Sequence, residues 1–311
     1  MGGFIMWSRR DFIKVVALGA VGASAIPSYA NTLSKGGKEE RLFILHTNDL
    51  HCRLEPFSET DPKYPGQGGM NRIAAYVKKM REKEPDLLLF DSGDFSQGTP
   101  YFNFFKDEVI LKLMSEMGYN ASTVGNHEFD NGVDELNRGL SFANFPIVSS
   151  NYDFSATSMG RNVKKNLVLE RKGIRIGVYG LGVELAGLVD PSKSGKTVYL
   201  NPVETALQQE EYLREKEKCD LVICLSHLGY EFASDKISDI KLASLTRNTD
   251  LILGGHTHTF LEKPVNCLNM DKKPVVVNQA GWASLMLGHI EFLFERDRKS
   301  IVDFSENKRV G

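Results

Sequence analysis

Five apolar runs in this chain stop at short clusters of histidine, aspartate and asparagine, and segments with helical spacing separate several of them. "RLFILHTNDLH" (41–51) reads as a buried strand ending in polar residues, and "PDLLLFDSGD" (85–94) as a strand ending in carboxylates. "ASTVGNHE" is a short strand running into a turn, while "CDLVICLSHLG" (219–229) and "DLILGGHTH" (250–258) are strands that end at histidines. In "GMNRIAAYVKKMREKE" (69–84), Met70, Ile73, Ala74, Val77 and Met80 recur with the period of a helix. Further helices are expected over 108–120, closed by Gly118, over 132–143, and near 202–217 and 235–247. Further strands are expected over 145–151, 173–182 and 273–281, with a late antiparallel strand over 283–295. Such alternation predicts an α/β protein with a layered sheet core. Ligands of α/β sheets bind beyond the carboxyl ends of the strands, so the five clusters are expected to meet on one rim.

The clusters are "DLH" (Asp49, His51), "DSGD" (Asp91, Asp94), "GNHEFD" (Asn126, His127, Glu128, Asp130), "SHLG" (His227) and "GGHTH" (His256, His258). Five of the seven histidines lie in them; His46 and His289 do not, and His289, inside a strand, reads as structural. Imidazole, carboxylate and amide oxygen are ligands for divalent metals such as Mn, Zn, Fe, Co or Mg. Residues two apart on an extended backbone point the same way, so D-x-H and H-x-H are each expected to pinch one ion from a strand end. The glycines at 254–255 let the backbone approach closely. Taken singly each motif also fits an ordinary turn, since turns favour Asn and Asp for backbone reasons; the order of all five carries the inference.

Composition adds exclusions. A chain of 311 residues, 41% hydrophobic and 25% charged, buries a sizeable core. Its net charge of -2 gives no basic field for polymeric nucleic acid. The four cysteines form no C-x-x-C pair, which argues against a thiolate metal site, and Cys219 and Cys224 read as core residues. Residues 1–30 differ from the rest: Arg9 and Arg10, then Phe12 and Ile13, a short Ala- and Gly-rich apolar stretch, and Ser28-Tyr29-Ala30. The pattern S-R-R-x-F-[IL]-K resembles a twin-arginine export signal. It predicts an exported, periplasmic protein with no stable membrane span, and residues 31–40 read as a linker.

The ordered set D-x-H, G-D, G-N-H-E, a lone H and G-H-x-H resembles the signature of calcineurin-like metallophosphoesterases. The details "HTNDLH", "GDFSQGTP", "VGNHEFDNG" and "LSHLG" resemble the 5′-nucleotidase branch, which includes periplasmic UDP-sugar hydrolases, and the resemblance spans about 41–295. It implies a layered sheet sandwich flanked by helices, a catalytic domain over 41–311, and a dinuclear-metal phosphoesterase acting on phosphomonoesters of nucleotides or related compounds. It implies one cation held by Asp49, His51, Asp94 and His258, and another by Asp94, Asn126, His227 and His256, with Asp94 shared. Some members carry Gln where this chain has His258. Asn126 and His127 would both contact the substrate, Asn126 at the phosphate and His127, oriented by Asp130, facing the leaving group, which it would protonate. Asp91 is expected behind the ligands, and Glu128 to shape the turn.

Two-domain members of that branch carry a C-terminal domain that holds phosphate and stacks the base. No such region follows residue 311 in this sequence, so three readings are open. The chain works alone on another substrate, or with a separate chain supplying that domain, or as a non-enzymatic metal-bearing binding protein. The expectation is an active but unselective catalyst whose selectivity comes from a partner. Phe95, Tyr101, Phe102, Phe104 and Phe105 are read mainly as core, with a leaving-group wall as the alternative.

Overall fold

A computed structural model describes residues 39–295 and 300–310. The export signal over 1–30 and nearly all of the 31–40 linker lie outside the described residues. In chain order the strands are β1 (Glu40–Thr47), β2 (Leu88–Asp91), β3 (Ala121–Ser122), β4 (Ile147–Val148), β5 (Tyr152–Asp153), β6 (Val163–Lys164), β7 (Asn166–Arg171) and β8 (Ile174–Gly182). They continue with β9 (Val198–Tyr199), β10 (Leu221–His227), β11 (Leu251–Leu253), β12 (Val265–Leu268), β13 (Pro274–Asn278), β14 (Met286–Phe294) and β15 (Ser300–Arg309).

Among the described residues these strands build two large sheets, ordered β15-β14-β1-β2-β3-β4-β6 and β12-β13-β11-β10-β8-β7, and a small antiparallel pair, β5 with β9. The central strands run parallel: β1 beside β2, β2 beside β3, and β10 between β8 and β11. The expected late antiparallel strand is β14, which pairs with β1.

The period of two along each strand explains how the sheets stack. Leu42 and Ile44 of β1, and Leu88 and Phe90 of β2, pack against Ile176, Val178, Ile223, Leu225 and Leu253 of the other sheet. Leu45 and Leu89 point the opposite way, onto a layer with Ile73, Val77, Ile110 and Met114. Val222, Cys224 and Ile252 do the same on the far side, against Ala206, Leu213 and Leu242. Burial on both faces is why these strands are unbroken apolar runs instead of alternating ones. The result is the expected sandwich flanked by helices, and Cys219 and Cys224 are core thiols.

The helix Met70–Lys83 buries Met70, Ile73 and Val77 on one stripe, and Glu108–Met117 ends at Gly118 in a left-handed conformation. Pro202–Glu211 starts at Asn201, whose side-chain oxygen accepts from the N–H groups of Val203 and Glu204. The helical reading of 202–217 is modified at its end, where Tyr212–Lys216 widens into a π turn. The apolar pattern does not reveal β7, β12 and β15, which lie at sheet edges. Edge strands bury at most one face, so polar residues interrupt the apolar run that marks a central strand. The short helix Pro100–Phe105 is likewise absent from the sequence expectation. No helix among the described residues is long and apolar enough to cross a membrane.

Candidate metal centre

Each cluster sits in the loop that follows a parallel strand: Asp49 and His51 after β1, Asp94 after β2, Asn126 and His127 after β3, His256 and His258 after β11. His227 closes β10 itself. Because β1, β2 and β3 belong to one sheet and β10 and β11 to the other, the five loops meet over the seam of the sandwich. The strand pairing continues into the loops, where Asp49 N–H donates to Gly93 O and His51 N–H to Asp94 O, both at 2.9 Å.

Two groups of metal-ligating side chains result: Asp49, His51 and His258, and Asp94, His227 and His256, each with its donor atoms within 4.8 Å of one another. His51 Nε2 and His258 Nε2 lie 2.9 Å apart, and His258 Nε2 is 3.3 Å from Asp49 Oδ1. His227 Nε2 is 3.0 Å from Asp94 Oδ2 and 4.0 Å from Asp49 Oδ1, so the two groups adjoin. Burial works against charge here, yet the Asp94–His227 pair keeps it: Asp94 is held well below the usual carboxylate range, and His227 is raised to about 10. Partial burial, with His227 beside it, lowers His256 to about 4.

The extended-strand picture of D-x-H and H-x-H does not hold. Asp49, His51, Asp94, His256 and His258 all have positive φ, between 48° and 73°. Asp49 and His51 reach one group through left-handed residues, whereas His256 and His258 divide between the two groups, so H-x-H does not pinch a single ion as expected. Each left-handed non-glycine residue costs roughly 1–3 kcal/mol. Hydrogen bonds from neighbouring loops hold that conformation. Asp49 accepts from His256 N–H and from Asn48 Nδ2, and Asn48 in turn donates to Gly281 O and accepts from Ala280 N–H. His227 Nδ1 pairs with Ser92 O at 2.7 Å, which turns Nε2 toward the cluster.

Two buried carboxylates brace this arrangement. Asp91, placed behind the ligands as expected, accepts from Thr47 Oγ1, Ser122 Oγ and Gly93 N–H and so ties β1, β2 and β3 together. Glu128 does more than shape its own turn. Its Oε2 accepts from Asp94 N–H at 2.9 Å and Gly125 N–H at 2.6 Å, and its Oε1 accepts from Ser96 N–H at 3.0 Å. Burial beside Asp94 raises the Glu128 pKa, and the Ser96 and Gly125 N–H donors oppose the rise.

His127 stands at the open side, about one-third exposed, with Nδ1 2.9 Å from Asp130 Oδ2. That hydrogen bond raises its pKa to about 9. Its ring is 5.3 Å from the His51 ring. His46 is buried at the Asn278 amide and His289 lies in β14, both away from the cluster. Sequence reasoning missed Trp282, whose indole lies flat on His258, and the bracing groups Asn48, Asp239 and Gln279. Only the position of Asn48 beside Asp49 could have pointed to any of them. Of the five aromatics after Asp94, Phe95 and Phe102 are core, whereas Phe104 is 80% exposed and Phe105 is 49% exposed. Tyr101, Phe104 and Phe105 line a groove with Arg53 and Glu55, so the core reading holds for only two of the five.

Divalent cations fit these residues. Asn126 Oδ1 is buried without a hydrogen-bond partner, and His227 Nε2, though close to Asp94, is not aligned with it as a hydrogen bond. Gly125 keeps the space between them clear, because a Cβ there would lie 2.3 Å from Asp94 Oδ1 and 2.6 Å from His227 Nε2. Gly255 has the same close approach, 2.9 Å from His227 Nδ1.

Comparison with known proteins agrees with this geometry. The calcineurin-like phosphoesterase family matches residues 43–260. A snake venom 5′-nucleotidase from Gloydius brevicauda is 32% identical over 304 residues, covering 90% of this chain and 49% of its own length. The crystal structure of a 5′-nucleotidase precursor from Thermus thermophilus superposes with a TM-score of 0.79 at 29% identity, over 87% of this chain and 55% of that one. The calcineurin-like phosphoesterase YfkN from Bacillus subtilis superposes with a TM-score of 0.70 at 26% identity, over 88% and 91%. The chain belongs to the calcineurin-like phosphoesterase family. It spans about half the length of the curated relatives it matches.

Glu128→Gln keeps the size of the side chain but turns an amide NH₂ toward backbone donors. Urea unfolding of the metal-stripped protein is expected to lose about 1–3 kcal/mol of stability. Unchanged stability would remove Glu128 as the tie between the two loops.

Proposed function

We infer that this chain is an exported, metal-dependent phosphoester hydrolase of 5′-nucleotidase type, cleaving phosphomonoesters of nucleotides or related compounds with water. The observation that carries the reading is the convergence of two adjoining ligand groups on one rim, beside a His127–Asp130 pair that is not part of either. On this reading Asp49, His51, Asp94 and His258 hold one divalent cation, and Asp94, Asn126, His227 and His256 the other. When bound, divalent cations supply Lewis acidity toward phosphate oxygens and toward an attacking water. The protein's own residues do the rest. Asn126 turns its amide oxygen to the ligand position and leaves its NH₂ for a phosphate oxygen. His127 binds Asp130 through Nδ1, which fixes the ring and favours its protonated form. Its Nε2 then delivers a proton to the departing alkoxide oxygen. The relatives' names support a nucleotide as substrate. Those relatives carry their additional length within one chain.

Hydrolysis is expected to stop on chelation and to return with manganese or cobalt. His127→Ala should lose roughly 10²–10⁴-fold on a nucleoside monophosphate. It should lose much less on an aryl phosphate whose leaving group needs no proton, as steady-state kinetics on both will measure. Equal losses on the two substrates would make His127 a phosphate-positioning group; activity that survives exhaustive chelation would end the metal reading.

Export rests on Arg9 and Arg10 and the apolar run after them. Cell fractionation of the Arg9→Lys/Arg10→Lys double variant is expected to find the protein retained in the cytoplasm. Normal arrival outside it would sink the twin-arginine assignment.

A further inference from the structure

Beside the ligand groups lies a cavity of about 700 Å³ that phosphoryl chemistry does not use. Its walls are His258, Trp282, Tyr64 and Phe260, with Lys63 and Arg309 at the rim. His258 belongs to both places. Its Nε2 faces His51, and its ring lies on the Trp282 indole with centroids 5.2 Å apart and planes 1° apart. The cavity therefore begins one ring beyond the ligand groups. Farther out, the Tyr64 and Phe260 rings lie near parallel, 6.1 Å apart. The Arg309 guanidinium sits 5.5 Å from the Phe260 centroid and Lys63 Nζ 5.1 Å from that of Tyr64.

These walls are fixed in place. Asp61 Oδ1 accepts from the N–H groups of Lys63 and Tyr64, and Arg72 donates to the carbonyls of Gly66 and Gly68. Phe57 supports the wall, with its ring 5.4 Å from Tyr64 and 6.0 Å from Trp282. Phe260 lies directly on Gly281, where a Cβ would fall 2.5 Å from its ring. A pocket already formed spares a ligand the entropy of ordering it.

We propose that this cavity is the leaving-group site, holding the planar heteroaromatic ring of a nucleoside while its phosphate lies at the ligand groups. The proposal rests on the phosphoesterase reading and adds that this chain builds its own selectivity. The volume suits such a group. Aromatic faces stack on any base, and a guanidinium extends the flat surface with N–H donors for ring carbonyls and nitrogens. An aliphatic alcohol offers neither a π face nor those acceptors. Tyr101, Phe104 and Phe105 line a separate groove and take no part.

The test uses the full chain loaded with manganese, in wild-type form and as Tyr64→Ala, Arg309→Ala and, as an exposed aromatic outside the cavity, Phe104→Ala. Calorimetry measures binding of adenosine; kinetics measure hydrolysis of adenosine monophosphate and of glycerol phosphate. Tyr64→Ala and Arg309→Ala are each expected to weaken binding of adenosine roughly 10-fold. They should lower the kcat/KM preference for the nucleotide by a similar factor, mostly through KM, with Phe104→Ala like wild type. Equal binding by all four proteins, or no binding of adenosine by wild type, would overturn the proposal. Binding losses as stated with no hydrolysis of either ester would support the cavity as a nucleoside site and remove the phosphoesterase reading instead.

Discussion

The Glu128 carboxylate, buried under the rim, accepts three backbone N–H groups from two loops that otherwise share little sequence. One is the N–H of Asp94 itself, and another is that of Gly125, which precedes Asn126. A carboxylate in this position makes the loop after β2 and the loop after β3 a single body. Asp94 Oδ1 then closes the circuit by accepting from His127 N–H at 2.8 Å. The ligand groups on the far side depend on the same body, since His51 N–H donates to Asp94 O and His227 Nδ1 is turned by Ser92 O. Apolar packing brings the sheets together; this acceptor ties the loops after β2 and β3 to each other at their seam.

Local strain has a matching distribution. Five candidate ligands hold left-handed backbone that costs roughly 1–3 kcal/mol each. The strained residues lie in loops anchored to parallel strands whose side chains are buried on both faces. Hydrogen bonds between the loops hold these left-handed residues, and that conformation keeps imidazoles and carboxylates converged instead of splayed toward water. Glycine serves the same end at 125, where any side chain would fill the space the donor atoms face.

Much of this is legible in the chain. Buried parallel strands leave unbroken apolar runs, so β1, β2, β8, β10 and β11 can be read, together with the clusters at the carboxyl ends of β1, β2, β10 and β11. Edge strands such as β7 and β12 are not legible, because one exposed face admits polar residues. At the site, the histidines and aspartates are readable as a set, but their convergence comes from left-handed turns and not from the extended backbone that the D-x-H and H-x-H spacing suggests. No local pattern reports the φ of an aspartate. Trp282 and Tyr64 are illegible for another reason. They are distant in sequence from one another and from His258, and only the fold brings them to one cavity.

The central claim is that two cations occupy adjoining places held by separate but touching ligand groups. Manganese titration of the metal-stripped chain, followed by electron paramagnetic resonance, tests it directly. The account predicts about two ions per chain with the exchange coupling of a close pair, and loss of that coupling in Gly125→Ala, whose methyl group enters the space between Asp94 and His227. A single uncoupled ion per chain at saturation, or a Gly125→Ala variant that keeps the coupled pair, would contradict it.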